Sequence, residues 1–173
     1  MTVSIRRAAP ADANALHALI EGAYRGDSAR RGWTHEADLL GGQRTDLDAL
    51  GAMLGEPAER MLVAERAGAL VGCVAIRDLG DGTAYLGMLT VDPESQAGGL
   101  GRRLVAAAEE EARAFGAARV EMTVISRRAE LVAWYERRGY RLTGERRPFP
   151  HGDERFGLPR DPTLEFVVLE RAL

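Results

Sequence analysis

An apolar run ending in Leu89-Thr90-Val91 gives way to Asp92-Pro93. The chain then reads Gln96-Ala97-Gly98-Gly99-Leu100-Gly101-Arg102-Arg103 before a helical pattern begins. A strand, a glycine-rich turn and a helix N-terminus bring backbone N–H groups toward one point, and the positive end of the helix dipole adds to them. That arrangement suits a diphosphate. Glycine permits positive φ and lets a phosphate approach the main chain, and Arg102 and Arg103 put positive charge at the same end. Two familiar phosphate loops are excluded by residue type. The dinucleotide fingerprint, started at Gly99, finds Gly101 and then Leu104 where its third glycine belongs, and the Walker loop needs a lysine. The chain has no lysine at all, so a lysine base or Schiff-base amine is excluded as well.

Other reactive side chains give less. Cys73 is the only cysteine, so no intramolecular disulfide can form. It lies in Val71-Gly72-Cys73-Val74-Ala75-Ile76, where it reads as a small buried hydrophobe. A nucleophilic role needs a base partner, and nothing nominates one. His17, His35 and His151 show no ligand spacing, so no metal site is expected.

The run from Gln96 to Gly101 matches the pattern Gln/Arg-x-x-Gly-x-Gly/Ala, after a strand ending Thr90-Val91-Asp92-Pro93. Downstream, Leu131-Val132-Ala133-Trp134-Tyr135-Glu136-Arg137-Arg138-Gly139-Tyr140 carries a tyrosine and a Gly-aromatic ending at a fitting distance. On these two linked motifs, spanning 86–144, the sequence resembles the GNAT family of N-acetyltransferases. The resemblance implies an α/β fold, a mixed central sheet of about seven strands with flanking helices. It implies acetyl-CoA as co-substrate and direct transfer to a primary amine. Main-chain groups of Leu89 and Val91, with Thr90 between them, are then expected to hold the pantetheine arm. Gln96, Ala97, Gly98, Gly99, Leu100, Gly101 and Arg102 are expected to cradle the pyrophosphate. The strand splays from its parallel neighbour in this family, and a backbone N–H there polarises the acetyl carbonyl.

Tyr135 stands where many members carry a tyrosine that protonates the departing thiolate. The chemistry favours such a donor, since a thiol with a pKa of roughly 8.5 leaves at a cost from a dry site. Packing beside Trp134 is the alternative reading. One departure stands out: many members place an asparagine about a turn and a half before the tyrosine. Here Ser126-Arg127-Arg128 occupies that neighbourhood, which departs from the family pattern, and an arginine or Ser126 is the expected replacement for the contact.

Acceptors in this family lie between the first two helices and the late strand loops, which directs attention to Arg31-Gly32-Trp33-Thr34-His35-Glu36-Ala37. Glu36 could bind a cationic amine or accept its proton, and Trp33 could form an apolar or cation–π wall. The competing reading makes Thr34 a helix N-cap, and His35 reads as a loop residue. The segment 146–162, with Pro148-Phe149-Pro150 and Phe156, is expected to cover the acceptor mouth or to pack across a homodimer, and the last strand could pair across such a dimer. The acceptor is expected to be a small or amino-acid-like amine. The alternatives are a protein N-terminus or lysine, or an acyl-CoA sensor without turnover.

The elements that must position these groups follow from periodicity. Strands are expected at 4–7, 60–65, 69–77, 84–91, 119–125, 140–145 and 164–169. The turn Arg66-Ala67-Gly68 makes a hairpin of the second and third. Helices are expected around Leu16, Leu19, Ile20, Ala23 and Tyr24, over 46–54, over 99–115 with Gly116 as its stop, and over 130–138. In the third, Leu104, Ala108, Ala112 and Phe115 form the apolar stripe, and Glu109 to Glu111 include the wet side. Hairpins mixed with crossovers give one α/β domain over 1–173. A net charge of −3 argues against a nucleic-acid partner. No apolar run could cross a bilayer and none follows the N-terminal arginines as in a signal peptide, so a cytoplasmic location without membrane contact is expected.

Overall fold

The computed structural model describes residues 2–173, apart from the side chains of Asp27 and Phe156 and the surroundings of Gly26. The chain opens with β1 (Ser4–Arg7), the helix α1 (Ala13–Tyr24) and a single helical turn α2 (Gly26–Ala29). A short strand β2 (Leu40–Gly41) and the helix α3 (Leu47–Gly55) follow; the Asp46 carboxylate caps α3 by accepting from the Ala49 N–H at 2.7 Å. Next come the strands β3 (Glu59–Arg66), β4 (Ala69–Asp78) and β5 (Thr83–Val91). The remainder comprises α4 (Leu100–Ala114), β6 (Arg119–Ile125), α5 (Ala129–Glu136), β7 (Arg141–Pro148), β8 (Leu158–Pro159) and β9 (Glu165–Ala172).

Seven strands form one mixed sheet in the order β1-β3-β4-β5-β6-β9-β7, the strand number expected from the sequence. Both faces of its centre are covered, which is why β4 reads as a nearly unbroken apolar run rather than an alternating one. Val74 and Ile76 lie under Leu104 and Ala108 of α4. Cys73 and Ala75 point the other way, under Leu16 and Ile20 of α1 and Leu50 of α3. Each buried leucine contributes about 1.5–3 kcal/mol relative to exposure, so the two helical layers stabilise the sheet from both faces.

The opening that matters for function is made by β5. It pairs in parallel with β6 only from Thr83 to Tyr85, against Arg119 to Glu121. Beyond that point it pairs with β4 alone. The β4–β5 register slips between Cys73 and Ala75, and Met88 takes a φ of +52°. A bulge of this kind bends a strand and re-aims its end. β5 therefore leaves β6 as a wedge, with Leu89, Thr90 and Val91 on its open side.

Four expectations change. Glu109 is buried rather than wet: it accepts a hydrogen bond from the Tyr140 hydroxyl at 2.9 Å and pairs with Arg171 Nη1 at 2.9 Å. A carboxylate tolerates burial when its lone pairs are taken by such partners. The last strand, β9, is flanked by β6 and β7, so both its edges are used within the chain and it offers none to a dimer partner. The expected 146–162 loop begins later, because β7 runs on to Pro148. The rest is pinned where β8 pairs antiparallel with β2. Thr34 caps no helix: its hydroxyl donates to Glu130 Oε1 at 2.8 Å and accepts from Arg128 Nη2 at 2.9 Å. Among the described residues, no helix is long and apolar enough to cross a membrane.

Candidate functional site

The turn before α4 is shaped as an anion cradle. Gly99 caps the helix in the left-handed region, at φ +73°, and Ala97 shares that conformation at φ +74°. No side chain caps α4 and its first turn holds no acidic residue. Its leading N–H groups are thus available to an outside acceptor, with the helix dipole behind them. Arg102 borders the same space. Arg103 does not: it is turned away and donates to the Val3 carbonyl at 2.9 Å.

The glycines divide by role. Gly99 needs its positive φ. Gly101 lies against the Trp134 ring instead, where a Cβ would be in ordinary van der Waals contact at 3.4 Å. Gly98 is exposed and borders neither of the two cavities described below. Gln96 borders the same space as Arg102, and its side chain is engaged within the chain. Its Oε1 accepts from the Trp33 N–H at 2.9 Å, and its Nε2 donates to the Val91 carbonyl at 3.3 Å. The side chain therefore clamps the 30–34 segment to β5. Gly32 permits this clamp, since a Cβ there would come within 3.0 Å of both Gln96 terminal atoms.

Arg138 is a cradle residue that sequence reasoning missed. Its guanidinium lies 3.3 Å from the centre of the Trp134 ring and donates to the Trp134 carbonyl at 2.6 Å. Burial, then the neighbouring Arg137 and Arg102 cations, lower its pKa. Crowded cations of this kind favour a polyanionic ligand between them. The signal was one helical turn: Arg138 follows Trp134 by four residues.

Two cavities meet at the wedge. The first, of about 610 Å³, is bordered by the cradle, Leu89, Thr90, Val91 and Trp134. The second, of about 440 Å³, lies over the sheet face that carries Ala75, Tyr85 and Gly87, under Met53 and Phe149. Tyr24, Leu89, Arg128, Leu131 and Tyr135 border both. The pair is a two-entrance site with a common wall.

Tyr135 stands in that wall, 4% exposed, with its ring edge-on to Trp134 at 5.0 Å and to Tyr140 at 5.7 Å. Among the described residues its hydroxyl has no hydrogen-bond partner. Burial raises its pKa above the ordinary tyrosine value, so the group is a proton donor at any working pH. Tyr24, which sequence reasoning took only for packing, faces it. The Tyr24 hydroxyl donates to the Leu89 carbonyl at 2.5 Å, and burial raises its pKa too, against the pull of Arg44. Arg128 occupies the neighbourhood where an asparagine was expected, and it is buried.

Glu36 reaches the second cavity, but not as a free base. It is 8% exposed and lies between Arg25 and Arg128, the latter at 3.1 Å. Burial pushes its carboxyl up, yet Arg128, Arg25 and Arg44 together outweigh that and hold it below the usual carboxylate range. An acid held ionised by two guanidinium groups is a poor proton acceptor near neutral pH, so the base role does not suit it. Trp33 lies on the other side from its expected place, bordering the cradle cavity with 51% exposure.

Phe149 and Pro150 border the second cavity, as a covering segment should, while the side chain of Phe156 lies outside the described residues. The His35 Nδ1 accepts from the Ala37 N–H at 3.2 Å, and the ring borders neither cavity. Cys73 is fully buried and its thiol is pushed up to about 12 by burial, which leaves no thiolate to act as nucleophile. Among the described residues no group of three potential metal ligands occurs.

Comparison with known proteins agrees with this architecture. The family model described as "Acetyltransferase (GNAT) family" matches residues 18–140. The IAA acetyltransferase of Azospirillum brasilense is 36% identical over 107 residues, which span 61% of this chain and 68% of the relative. Among solved structures, yncA from Salmonella typhimurium, determined with its cofactor acetyl-CoA, superposes with a TM-score of 0.73 at 20% identity over 100% of this chain and 95% of that one. An N-acetyltransferase from Staphylococcus aureus Mu50 gives 0.74 at 16% identity over 99% of each chain. At these identities the structural matches speak for the fold.

Proposed function

Because the chain belongs to the GNAT acetyltransferase family, we propose that it transfers the acetyl group of acetyl-CoA directly to a primary amine of a small molecule. The observation that carries this reading is the shared wall. Two cavities that touch at Tyr24, Leu89, Arg128, Leu131 and Tyr135 let a thioester and an amine meet without a covalent enzyme intermediate. Holding both reactants in one geometry removes much of the entropic part of the barrier.

The chain's own groups fit acetyl-CoA. The uncapped start of α4, Gly99, Arg102 and Arg138 suit its diphosphate. The wedge beside β5 suits its extended arm. There the Leu89 and Val91 carbonyls accept from Tyr24 and Gln96 while Thr90 between them pairs with Cys73 of β4, so the main chain of Leu89 and Val91 faces the wedge and suits an amide-bearing chain.

In the transfer, the amine nitrogen forms a bond to the acetyl carbon and the carbon–sulfur bond breaks. The amine loses one proton and the departing thiolate gains one. Tyr135 is the donor to the thiolate, its neutral hydroxyl standing in the common wall, and the proton the amine gives up passes through solvent to return Tyr135 to its neutral form. Glu36 is a positioning residue that fixes Arg128 beside it.

The test is release of free thiol from acetyl-CoA across a panel of primary amines, read with a thiol-reactive dye. Release that depends on an amine supports transfer. Thermal stabilisation by acetyl-CoA with no release from any amine overturns it and leaves a protein that binds the acyl donor without turnover.

A further inference from the structure

We propose that the acceptor is an amino acid with an apolar side chain, and that Arg44, assisted by Arg77, binds its carboxylate in the second cavity. This rests on the transfer reading above and names the substrate class of the same site. The cavity is bordered by the arginines 25, 44, 77 and 128 but only by the glutamates 36 and 59. Leaving Arg25 aside, three guanidinium groups still face two carboxylates. Glu36 is committed to Arg128 at 3.1 Å. Arg77 sits opposite Glu59 in the β3–β4 register without forming a salt bridge to it. Burial raises the Glu59 carboxyl despite that arginine, which is the behaviour of an acid without a close cationic partner.

Arg44 is the stronger of the two. It is half-buried, and among the described residues its guanidinium forms no salt bridge. Its guanidinium lies 5.2 Å from the centre of the Tyr24 ring, at the common wall. Its place is fixed from behind: the Glu21 carboxylate accepts from the Arg44 and Thr45 backbone N–H groups at 2.6 and 2.7 Å. A half-buried guanidinium that borders a cavity and feels the Glu36 charge only at a distance, with no salt bridge of its own, is a ready partner for a planar carboxylate. The other walls are apolar. Leu40, Met53, Met122, Phe149 and Phe166 surround the space an amino-acid side chain would take. Gly87 keeps the floor open, for a Cβ there would stand 3.3 Å from the Tyr85 ring.

The experiment uses the full chain with the common L-α-amino acids, each beside its carboxamide. Thiol release is measured first. The expected result is an apolar amino acid used at least about tenfold better than its amide. Arg44→Gln should raise the acceptor KM by about tenfold or more, erasing that preference while leaving acetyl-CoA affinity unchanged. Arg44→Lys should restore part of it, and Arg77→Gln gives a second variant at an exposed strand position. Amides used as well as acids, or a preference that survives both glutamine variants, overturns the proposal with the transfer reading intact. If no amine releases thiol, calorimetry of the same acids with CoA present decides. Carboxylate-dependent binding lost in Arg44→Gln keeps the anion site and discards transfer, and absence of binding overturns both.

Discussion

The Tyr24 hydroxyl donates to the Leu89 carbonyl at 2.5 Å, joining the last residue of α1 to the open side of β5. The bond spans the place where the two cavities touch. It ties the helix that roofs one to the strand that walls the other, so the width of the wedge is set by a contact between residues 65 apart in sequence.

Tyr24→Phe removes this bond and little else. A net loss of about 1 kcal/mol is expected, lowering Tm by about 2–4 °C. The KM for acetyl-CoA should rise, because the Leu89 segment is no longer held. Scanning calorimetry and initial rates check this; identical Tm and KM would show that the bond does not position β5.

Tyr135→Phe should cut turnover by about a hundredfold while acetyl-CoA affinity stays nearly intact. The protein should remain folded, since the lost hydroxyl leaves no partner orphaned among the described residues. Because burial raises this group's pKa, the wild-type rate should show no tyrosine-dependent fall below about pH 10. Single-turnover rates across pH are the measurement, and an unchanged turnover assigns Tyr135 to packing.

Glu36 makes a prediction in acid. Its folded pKa is depressed, so the stability it gives is present above the unfolded carboxylate value of about 4.3 and is lost as pH falls through the lower folded value. Denaturant unfolding followed from neutral pH downward should show that loss, and Glu36→Gln should flatten it. Glu36→Ala should cost about 3–5 kcal/mol, since it strands a buried arginine. A neutral-range pH–rate limb that disappears in Glu36→Gln would falsify the positioning role and restore it as the base.

Gly99→Leu places a side chain in the left-handed region, at a strain of about 1–2 kcal/mol. It also puts that side chain where a phosphate must approach the first turn of α4. Titration calorimetry should find acetyl-CoA binding lost in a variant that still melts cooperatively. Normal affinity would move the diphosphate elsewhere.

Cys73 should resist labelling in the folded protein at about pH 8, because its thiol is pushed up to about 12 and is fully buried. Its raised pKa contributes stability below the unfolded thiol value of about 8.5, and that is lost as pH climbs toward the folded one. Mass spectrometry after a timed dose of a thiol reagent, with and without denaturant, tests both points. Rapid labelling without denaturant would contradict the buried setting.

Local pattern carried most of the fold. The strand–turn–helix around Gln96 to Arg102, the tyrosine of α5 and the seven-strand sheet were all legible, because backbone propensity and side-chain period act over neighbouring residues. The positive-φ position at Gly99 was legible too, while Ala97 was not, since alanine gives no warning of a left-handed backbone.

What only the tertiary structure decided is where the charges go. Glu109 sits beside Glu110 and Glu111 in sequence and reads as wet, yet Tyr140 and Arg171, which lie 31 and 62 residues away, bury it. Glu36 reads as a free acid near an acceptor, yet Arg128 holds it from 92 residues away. Trp33 reads as an acceptor wall, yet Gln96 draws its backbone to the other cavity. A carboxylate's role depends on which cation or donor the packed sheet brings within about 3 Å of it. That distance is fixed by strand order and register across the whole chain, and no local period encodes it.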